Sequence, residues 1–356
     1  MKKHTSNRKK YLIILYSVFF LMGLSACSSI GYYGQSIVGH NKLMWARQPV
    51  SEVIQTAEPK LKAQLLLSQT MRQFAVDELN LPDNNSYSSY VALDRDYPVW
   101  NVVAAEEFSV QAKSWCYLII GCASYRGYFS EQAALDYAKN LRKKGYETNV
   151  GGAIAYSTLG WFSDPLLPSM MRYGNADLAE NMFHELAHQV IYVNGNSAFN
   201  EAFASVVGEQ GAIRWLQEYE PQSLSNYEHR LQRNNDFSRL LNKTKSALNN
   251  LYRQDFSITK KRQAKAGLMQ NLRDNYDTLK TSQWDGYSGY DRWFEAPINN
   301  ARIAGISTYR DHMPELQRLL INCAGDFSLF FDVLKQTVNI HSQETLLDNL
   351  PVTCND

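Results

Sequence analysis

Apolar residues recur at helical spacing through most of the chain, and two segments replace this pattern with an extended one. Residues 50–80 carry apolar rows with few helix breakers, and residues 131–144 repeat the helical spacing. Residues 87–120 are rich in Val, Tyr and Ile and favour strands, and residues 146–155 return to an extended pattern. The first half of the chain is therefore predicted to form a small mixed sheet accompanied by helices.

The second half of the chain is more polar and has longer helical patterns. Residues 219–280 contain two apolar rows, which predict long antiparallel helices. Their Lys, Arg and Asn content is typical of a solvated face rather than a partner surface. Because no linker interrupts the chain, we expect one domain over residues 27–356, with a sheet-containing part at about 85–160, a helical pair at 176–218 and a mainly helical part at 219–356.

The helical pair carries a His-Glu-x-x-His pattern formed by His184, Glu185 and His188. On an α-helix, positions i and i+4 lie on one face, so both imidazoles can bind one cation. Glu185 projects beside them, where it can accept a proton from a water at the metal. We expect Asn175 to cap this helix and Asn194-Gly195 to end it. An apolar stripe predicts that the helix is buried: Leu178, Met182, Leu186, Val190 and Ile191.

A zinc site with two histidines needs a third protein ligand, and a carboxylate from a neighbouring element leaves the fourth position open. Glu201 follows a short turn and begins a second apolar helical pattern, so it is the expected ligand. Glu209 is a competing ligand, and Ser205, one turn after Glu201, could hydrogen-bond to a ligand. The alternative is that the histidines are hydrogen-bonded core residues. The predicted helical context of the motif favours zinc.

These two motifs resemble those of the gluzincin metallopeptidases, the thermolysin-like clan. The second helix of that clan carries an Asn-Glu-Ala-x-x-Asp pattern that supplies the third ligand, and Asn200 to Ala202 match it. Ser205 stands where the clan has Asp. The resemblance implies a zincin-like α+β fold in which His184, His188 and Glu201 hold one Zn²⁺ ion.

Longer segments carry a second resemblance. They are Gly31 to Tyr33, Trp115-Cys116, Tyr125 to Phe129, Ala155 to Phe162, Phe183 to Gln189, Asn299 to Ala301, and Tyr309. Together they resemble a family of bacterial lipoproteins labelled predicted aminopeptidases, from about Gly31 to the 330s. This resemblance implies hydrolysis of peptide substrates in the cell envelope.

Metallopeptidases of the gluzincin clan have an edge strand ahead of the metal helix, and its free backbone groups align a peptide as an added strand. That resemblance makes Ala155, Tyr156 and Ser157 the expected substrate-binding residues, in a strand that continues to Leu159. The alternative is an ordinary internal strand, because edge position cannot be read from one sequence.

The clan also uses a Tyr or a protonated His across the cleft to stabilise the oxyanion. By this resemblance Tyr309 is the first choice, His312 the second and Tyr156 a further candidate. The chain has 22 tyrosines, so a structural hydroxyl group is the alternative for any one of them.

An aminopeptidase must in addition recognise a free N-terminal ammonium with acidic side chains. Glu180, Asp164 and Glu209 could serve, and their spacing does not select among them. Two alternative functions are an envelope zinc endopeptidase and a catalytically inactive lipoprotein scaffold. The presence of Glu185 argues against the scaffold, because metal binding alone does not require that carboxylate.

The amino terminus has the pattern of an export signal. Five basic residues precede an apolar run from Tyr11 to Leu24, which is too short for a usual membrane span. The run ends in a lipobox-like quartet, so residues 1–26 are the expected signal peptide and Cys27 the expected lipidated residue. Ser28 resembles the residue found there in outer-membrane lipoproteins. We therefore expect a lipid-anchored protein of the cell envelope, attached to the outer membrane and facing the periplasm.

Charge and cysteine content fit an exported protein. Removal of residues 1–26 changes the formal net charge from +1 to −4, and no basic excess indicates a nucleic-acid partner. Apart from the lipobox residue, an even number of cysteines remains, namely Cys116, Cys122, Cys323 and Cys354. Sequence proximity favours Cys116–Cys122 and Cys323–Cys354 disulfides, although other pairings or free thiols are alternatives.

Overall fold

The computed structural model describes residues 31–117, 121–307, 312–342 and 345–354. The chain divides into two compact units between Ala46 and Arg47. The described part of the first unit is largely one helix, α1, over residues 31–45. The second unit, from Arg47 onward, contains all the elements that follow. The expected signal peptide, Cys27 and Tyr309 lie outside the described residues.

The strands form small antiparallel sheets. They are β1 (Gln48–Pro49), β2 (Ser89–Tyr90), β3 (Val99–Glu106), β4 (Trp115–Tyr117), β5 (Gly121–Ala123), β6 (Arg126–Tyr128) and β7 (Tyr146–Ala153). The largest sheet has the order β6-β3-β7, with β3 pairing along its whole length with β7. The prediction of one mixed sheet was wrong, because every described strand pair is antiparallel and the parallel contact between Tyr90 and Leu166 is an isolated bridge.

The three-stranded sheet presents two different faces. Val102 and Ala104 on β3 are fully buried, whereas Asn101 and Val103, which alternate with them, point to the opposite face. The helix α4 (Glu131–Lys143) packs on this sheet, and its amino terminus is capped by the Ser130 side chain. The prediction of a helix followed by a strand in this region is confirmed.

Most of the second unit is helical. The remaining helices are α2 (Val50–Thr56), α3 (Pro59–Asp77), α5 (Asn175–Ala187), α6 (Ser197–Tyr219), α7 (Pro221–Tyr252), α8 (Ile258–Ser282), α9 (Asp291–Glu295), α10 (Asn300–Ser307), α11 (Met313–Asn322) and α12 (Phe327–Ile340), with a 3₁₀ turn at Leu347–Asn349. The long helices α7 and α8 pack on each other and bury an aromatic cluster around Phe237, Tyr276 and Trp284. A mixed α and β chain with a mainly helical second half is thus confirmed.

Two disulfides close loops in the second unit. Cys116 pairs with Cys122 directly across β4 and β5, and Cys323 pairs with Cys354. The connectivity favoured by sequence proximity is therefore the one observed. Among the described helices, none combines the length and apolar character that a membrane crossing would require.

Candidate metal centre

Helix α5 carries the first two candidate ligands at its carboxyl end. The helix ends at Ala187, and His188 is its C-cap residue with helical backbone angles and an N–H bond to the His184 carbonyl. The i and i+4 geometry therefore persists although the helix stops at the motif. The predicted stop at Asn194-Gly195 was wrong, because Gln189 and Val190 donate to carbonyls three residues back and tighten the last turn.

The start of α5 also differs from the expectation. Gly174, with φ of 117°, is the N-cap residue, and Asn175 is the first helical residue. The Asn175 side chain instead donates to the Glu220 carboxylate at 2.6 Å, at the end of α6. Asn175 thus joins the two ends of the helical pair rather than capping α5.

Helix α6 positions the third candidate ligand in its first turns. The Asn196 side chain accepts from the Phe199 N–H and caps the helix. Asn200, which is 2% exposed, bonds both the N–H and the carbonyl of Val193, each at 2.8 Å. These two bonds fix the connection between α5 and α6. Glu201, the next residue, is thereby held beside His184 and His188.

Close packing of α5 against α6 depends on two glycines of α6, Gly208 and Gly211. A Cβ atom at Gly208 would lie 2.8 Å from the Glu180 carbonyl oxygen and 3.1 Å from the His184 Cβ. A Cβ at Gly211 would lie 2.8 Å from the Phe183 ring. The small residues on α6 therefore let the backbone of α5 approach closely enough for the ligands to meet.

Three potential ligand atoms converge at this crossing. The Nε2 atoms of His184 and His188 lie 3.2 Å apart, and the Glu201 Oε2 lies 3.4 Å and 3.8 Å from them respectively. Donor atoms at zinc bond lengths in a tetrahedral site are separated by about 3.3 Å. The three side chains therefore fit a tetrahedral ion with bond lengths of that size.

The electrostatics of these side chains also suit a cation. Burial lowers the pKa of His188 to about 4, which keeps its imidazole neutral. Burial acts in the same direction on His184, but its hydrogen bond with Glu201 and the nearby carboxylates outweigh it and raise the pKa of His184. The pKa of Glu201 is lowered, because both histidines outweigh the effect of burial. Glu201 is thus a carboxylate at neutral pH.

One atom of the candidate centre has no partner. His188 Nδ1 is buried and makes no hydrogen bond within the described part of the chain. Ligand histidines usually donate this second N–H to a carboxylate or carbonyl. Neither Ser205 nor any other described residue fills that role for His188.

Glu185 lies beside the ligands in a different environment. Burial, together with the charges of Glu201 and Asp164, raises the pKa of Glu185 to about 7, against the opposing effect of His184. The nearby Ser157 side chain lowers the pKa values of both Glu185 and Asp164 and so opposes burial. Glu185 is thus a half-buried carboxyl group whose pKa is near neutral pH, which suits a general base.

The segment from Ser157 to Asp164 is folded onto the buried Asp164 carboxylate. Thr158 donates to it through its N–H at 2.9 Å and through its hydroxyl at 2.7 Å. Leu159 and Gly160 have positive φ angles of 54° and 81°, which reverse the chain. Burial raises the pKa of Asp164 to about 6, with the Thr158 bonds opposing it.

Tyr87 is a neighbour of the centre that the sequence analysis missed. It is 1% exposed, it has a φ of 62°, and its hydroxyl has no partner among the described residues. Its N–H donates to the Asp164 carbonyl at 2.7 Å. Burial and the charges of Glu185 and Asp164 raise the pKa of Tyr87 well above its usual value. A non-glycine residue held at positive φ beside reactive groups is typical of functional sites, but nothing in the sequence marks this tyrosine among the others.

The residues predicted to bind the substrate or to stabilise the oxyanion do not have the expected structural context. The expected strand at Ala155 to Leu159 was wrong, because β7 ends at Ala153 and these residues form an irregular segment. Within it, Ser157 contributes to the environment of Glu185, and the Tyr156 ring packs on Phe129 at 5.3 Å. His312 is the N-cap residue of α11, and no hydrogen bond or ion pair joins it to the described metal-site residues.

Two of the acidic candidates for ammonium recognition already have partners. Glu180 accepts from Arg230 at 2.7 Å and from the Tyr227 hydroxyl at 3.0 Å. Glu209 is 2% exposed and accepts from Gln317 at 3.4 Å. Among the described residues, the cluster of potential metal ligands contains Glu201 and not Glu209.

A cavity of about 400 Å³ adjoins the centre through Glu201. Asn101 and Val103 of β3 and residues 149–152 of β7 line one side. Trp293 and Arg302 line another side, and the sequence analysis did not single out either of them. The cavity lies within the volume range of small-molecule sites.

Comparison with known proteins gives one finding. A family model described as "Putative aminopeptidase" matches residues 31–346. No curated protein and no solved structure matches the chain.

Proposed function

The chain belongs to the putative aminopeptidase family, and from this premise we propose that it is a zinc-dependent peptidase that removes residues from the amino terminus of peptides. The observation that carries the proposal is the convergence of His184, His188 and Glu201, whose potential ligand atoms all lie within 4.8 Å of one another. Glu185 lies directly beside them. This combination supplies both a cation site and a base.

The three side chains suit zinc better than a hard cation. Two imidazoles and one carboxylate form one of the protein ligand sets found in catalytic zinc sites, whereas Ca²⁺ and Mg²⁺ prefer oxygen ligands. When bound there, zinc would polarise the scissile carbonyl and lower the pKa of water.

Glu185 is the proposed general base. A carboxylate with a pKa near 7 accepts a proton at neutral pH and, once protonated, can donate it to the leaving amine. The Ser157 side chain lies close enough to favour the charged form of this carboxylate. Since Glu201 is buried against both histidines, its carboxylate is not available for the same role.

The edge of β7 is the proposed guide for the peptide backbone. Among the described strands β7 pairs only with β3, so its other edge has backbone groups that no strand covers. Residues 149–152 of this strand line the cavity that contains Glu201. A peptide added there as an extra strand would run toward the candidate metal centre.

The proposed location is the cell envelope, with the chain anchored by lipid at Cys27. The support is the basic segment, the apolar run and the lipobox-like quartet of the sequence. Metabolic labelling with a fatty acid would test it: the wild-type chain takes up label and Cys27→Ser does not. Labelling of the Cys27→Ser chain would refute the assignment.

Hydrolysis of free-amine and N-acetylated peptides by the detergent-purified, zinc-loaded chain tests the activity. We expect cleavage of free-amine peptides only, and Glu185→Gln is expected to retain zinc while lowering kcat at least about 100-fold. Cleavage of both peptide types would instead identify an endopeptidase. Absence of cleavage, or full activity of Glu185→Gln, would contradict the proposed mechanism.

A further inference from the structure

Arg302 projects from α10 into the wall of the cavity and forms no ion pair with any described residue. Its Nε is buried and has no hydrogen-bond partner in the described part of the chain. Burial and the neighbouring Arg273 both lower the pKa of Arg302. Arg302 as a whole is half-buried. A cation that is partly removed from water and has no carboxylate beside it is stabilised by an anionic ligand, and the open side of the cavity can supply one.

The guanidinium lies over an aromatic ring. Its centre is 4.8 Å from the centroid of the Trp293 ring, and Trp293 lines the same cavity. A cation–π contact of this kind uses none of the guanidinium N–H groups as hydrogen-bond donors to another side chain. A planar anion such as a carboxylate matches two parallel N–H groups of a guanidinium.

The position of Arg302 is built by the two preceding asparagines. Asn300 is fully buried, and its amide group donates to the Glu106 and Glu107 carbonyls and accepts from the Tyr252 hydroxyl. Asn299 donates to the Thr148 carbonyl and accepts from the Arg302 N–H at 2.9 Å. These bonds tie the start of α10 to β3 and β7, so Arg302 is fixed relative to the strand edge.

Arg302 and the candidate ligand Glu201 line the same cavity, which has a volume of about 400 Å³. A sphere of that volume is about 9 Å across, a length that about two or three residues of an extended chain span. A short peptide can therefore reach both Glu201 and Arg302.

From these observations we infer that Arg302 binds the C-terminal carboxylate of the substrate, so that the enzyme acts on peptides of two or three residues. The inference rests on the proposed function, because the cleaved bond is taken to lie at the His184, His188 and Glu201 centre. The Arg302 guanidinium then serves as the carboxylate recognition group, and the β7 edge aligns the residues between the two ends.

Calorimetric binding of small peptides to the zinc-loaded, full-length Glu185→Gln chain tests this inference without turnover. The probes are trialanine, trialanine amide, and a tripeptide amide whose last residue is glutamate. A charge-assisted hydrogen-bonded pair predicts that trialanine binds about 10- to 100-fold more tightly than its amide. Adding Arg302→Gln should remove this difference, and Arg302→Lys should restore part of it because the charge remains without the planar fork.

Several results would show that Arg302 does not bind the C-terminal carboxylate. Equal affinity for trialanine and its amide, a preference that survives in Arg302→Gln, or no binding of any probe would overturn the inference. Preferential binding of the glutamate-containing amide would also overturn it, because Arg302 would then read a side-chain carboxylate. Zinc content and thermal unfolding of the Arg302 variants must match those of the parent chain for a loss to count.

The two hypotheses fail separately. If the wild-type chain cleaves no peptide yet binds trialanine through Arg302, the proposed function fails and carboxylate recognition stands. If it cleaves free-amine peptides of any length equally well and trialanine shows no preference over its amide, the proposed function stands and the role of Arg302 fails.

Discussion

The two sides of the candidate site are held together by different kinds of contact. The metal side consists of α5 and α6, which lie within residues 175–219 and pack through apolar and small residues such as Phe183 and Gly208. The cavity side combines β3, β7, Trp293 and α10, and buried polar bonds around Asn300 hold it together.

In the proposed function, this difference assigns ion binding to the metal side and peptide binding to the cavity side. Ligand atoms must converge to within a fraction of an ångström, and rigid close packing of two neighbouring helices provides that precision. A peptide needs polar partners at several places along its length, and elements from distant parts of the chain provide them. Variants on the metal side should therefore leave peptide binding unchanged, and variants on the cavity side should leave ion binding unchanged.

The largest expected effect is on the metal side. His188→Ala removes one of three ligands, so bound zinc should fall from one equivalent to near zero after dialysis and hydrolysis should fall to background. Metal analysis and a peptide assay measure the two losses. His229→Ala, at an exposed position on α7, is the matched control and should change neither. Stoichiometric zinc in His188→Ala would show that the ion binds elsewhere.

A second effect concerns Asp164, in the segment between the two sides. Its folded-state pKa of about 6 lies above its unfolded value of 3.8, so the folded protein holds this proton more tightly. Protonated Asp164 therefore contributes its full stabilisation below about pH 4. As the pH rises through 6, the free energy of unfolding falls by about 3 kcal/mol.

Denaturant unfolding of wild type and Asp164→Asn from pH 4 to 8 measures this contribution. The amide carries no charge, so the stability difference between variant and wild type should shift toward the variant as the pH rises and level off above 6. A difference that does not change with pH would show that the carboxyl group does not titrate in this range.

Asn300→Ala should affect the cavity side alone. It removes three hydrogen bonds of a fully buried amide, which should lower the free energy of unfolding by about 2–3 kcal/mol. Peptide binding should weaken because α10 loses its attachment, while zinc affinity stays unchanged. Asn275→Ala, at an exposed position on α8, is the control. Loss of zinc in Asn300→Ala would break the separation of the two sides.

The smallest expected effect is at the helix crossing. Gly208→Ala places a methyl group 2.8 Å from a backbone oxygen of α5, so the helices must move apart, at a net cost of about 1–2 kcal/mol despite the better helix propensity of alanine. Because His184 adjoins this position, zinc affinity should fall while peptide binding changes less. Gly267→Ala, where a Cβ meets no atom within 4 Å, should instead stabilise α8 by about 0.5–1 kcal/mol. If both variants behaved alike, the close approach would be irrelevant.

The sequence predicted the metal side well because its information is local. Helical periodicity located α5, α6, α7 and α8, and the i, i+4 spacing brought His184 and His188 to one face. The boundaries of α5 were less accurate, since Gly174 and the tightened turn at His188 depend on contacts that single-residue preferences do not encode. Proximity along the sequence was sufficient to predict both disulfides, because each joins neighbouring cysteines, 6 and 31 residues apart.

The cavity side, by contrast, depends on the tertiary fold. Long stretches of sequence separate Asn101, Gly151, Trp293 and Arg302, and no periodicity indicates that they line one cavity. Likewise Tyr87 and Asp164 reach Glu185 only through the folding of separate loops. The physical reason is that spacing along a helix is set by backbone geometry within a few residues, whereas contacts between distant segments depend on how the whole core packs.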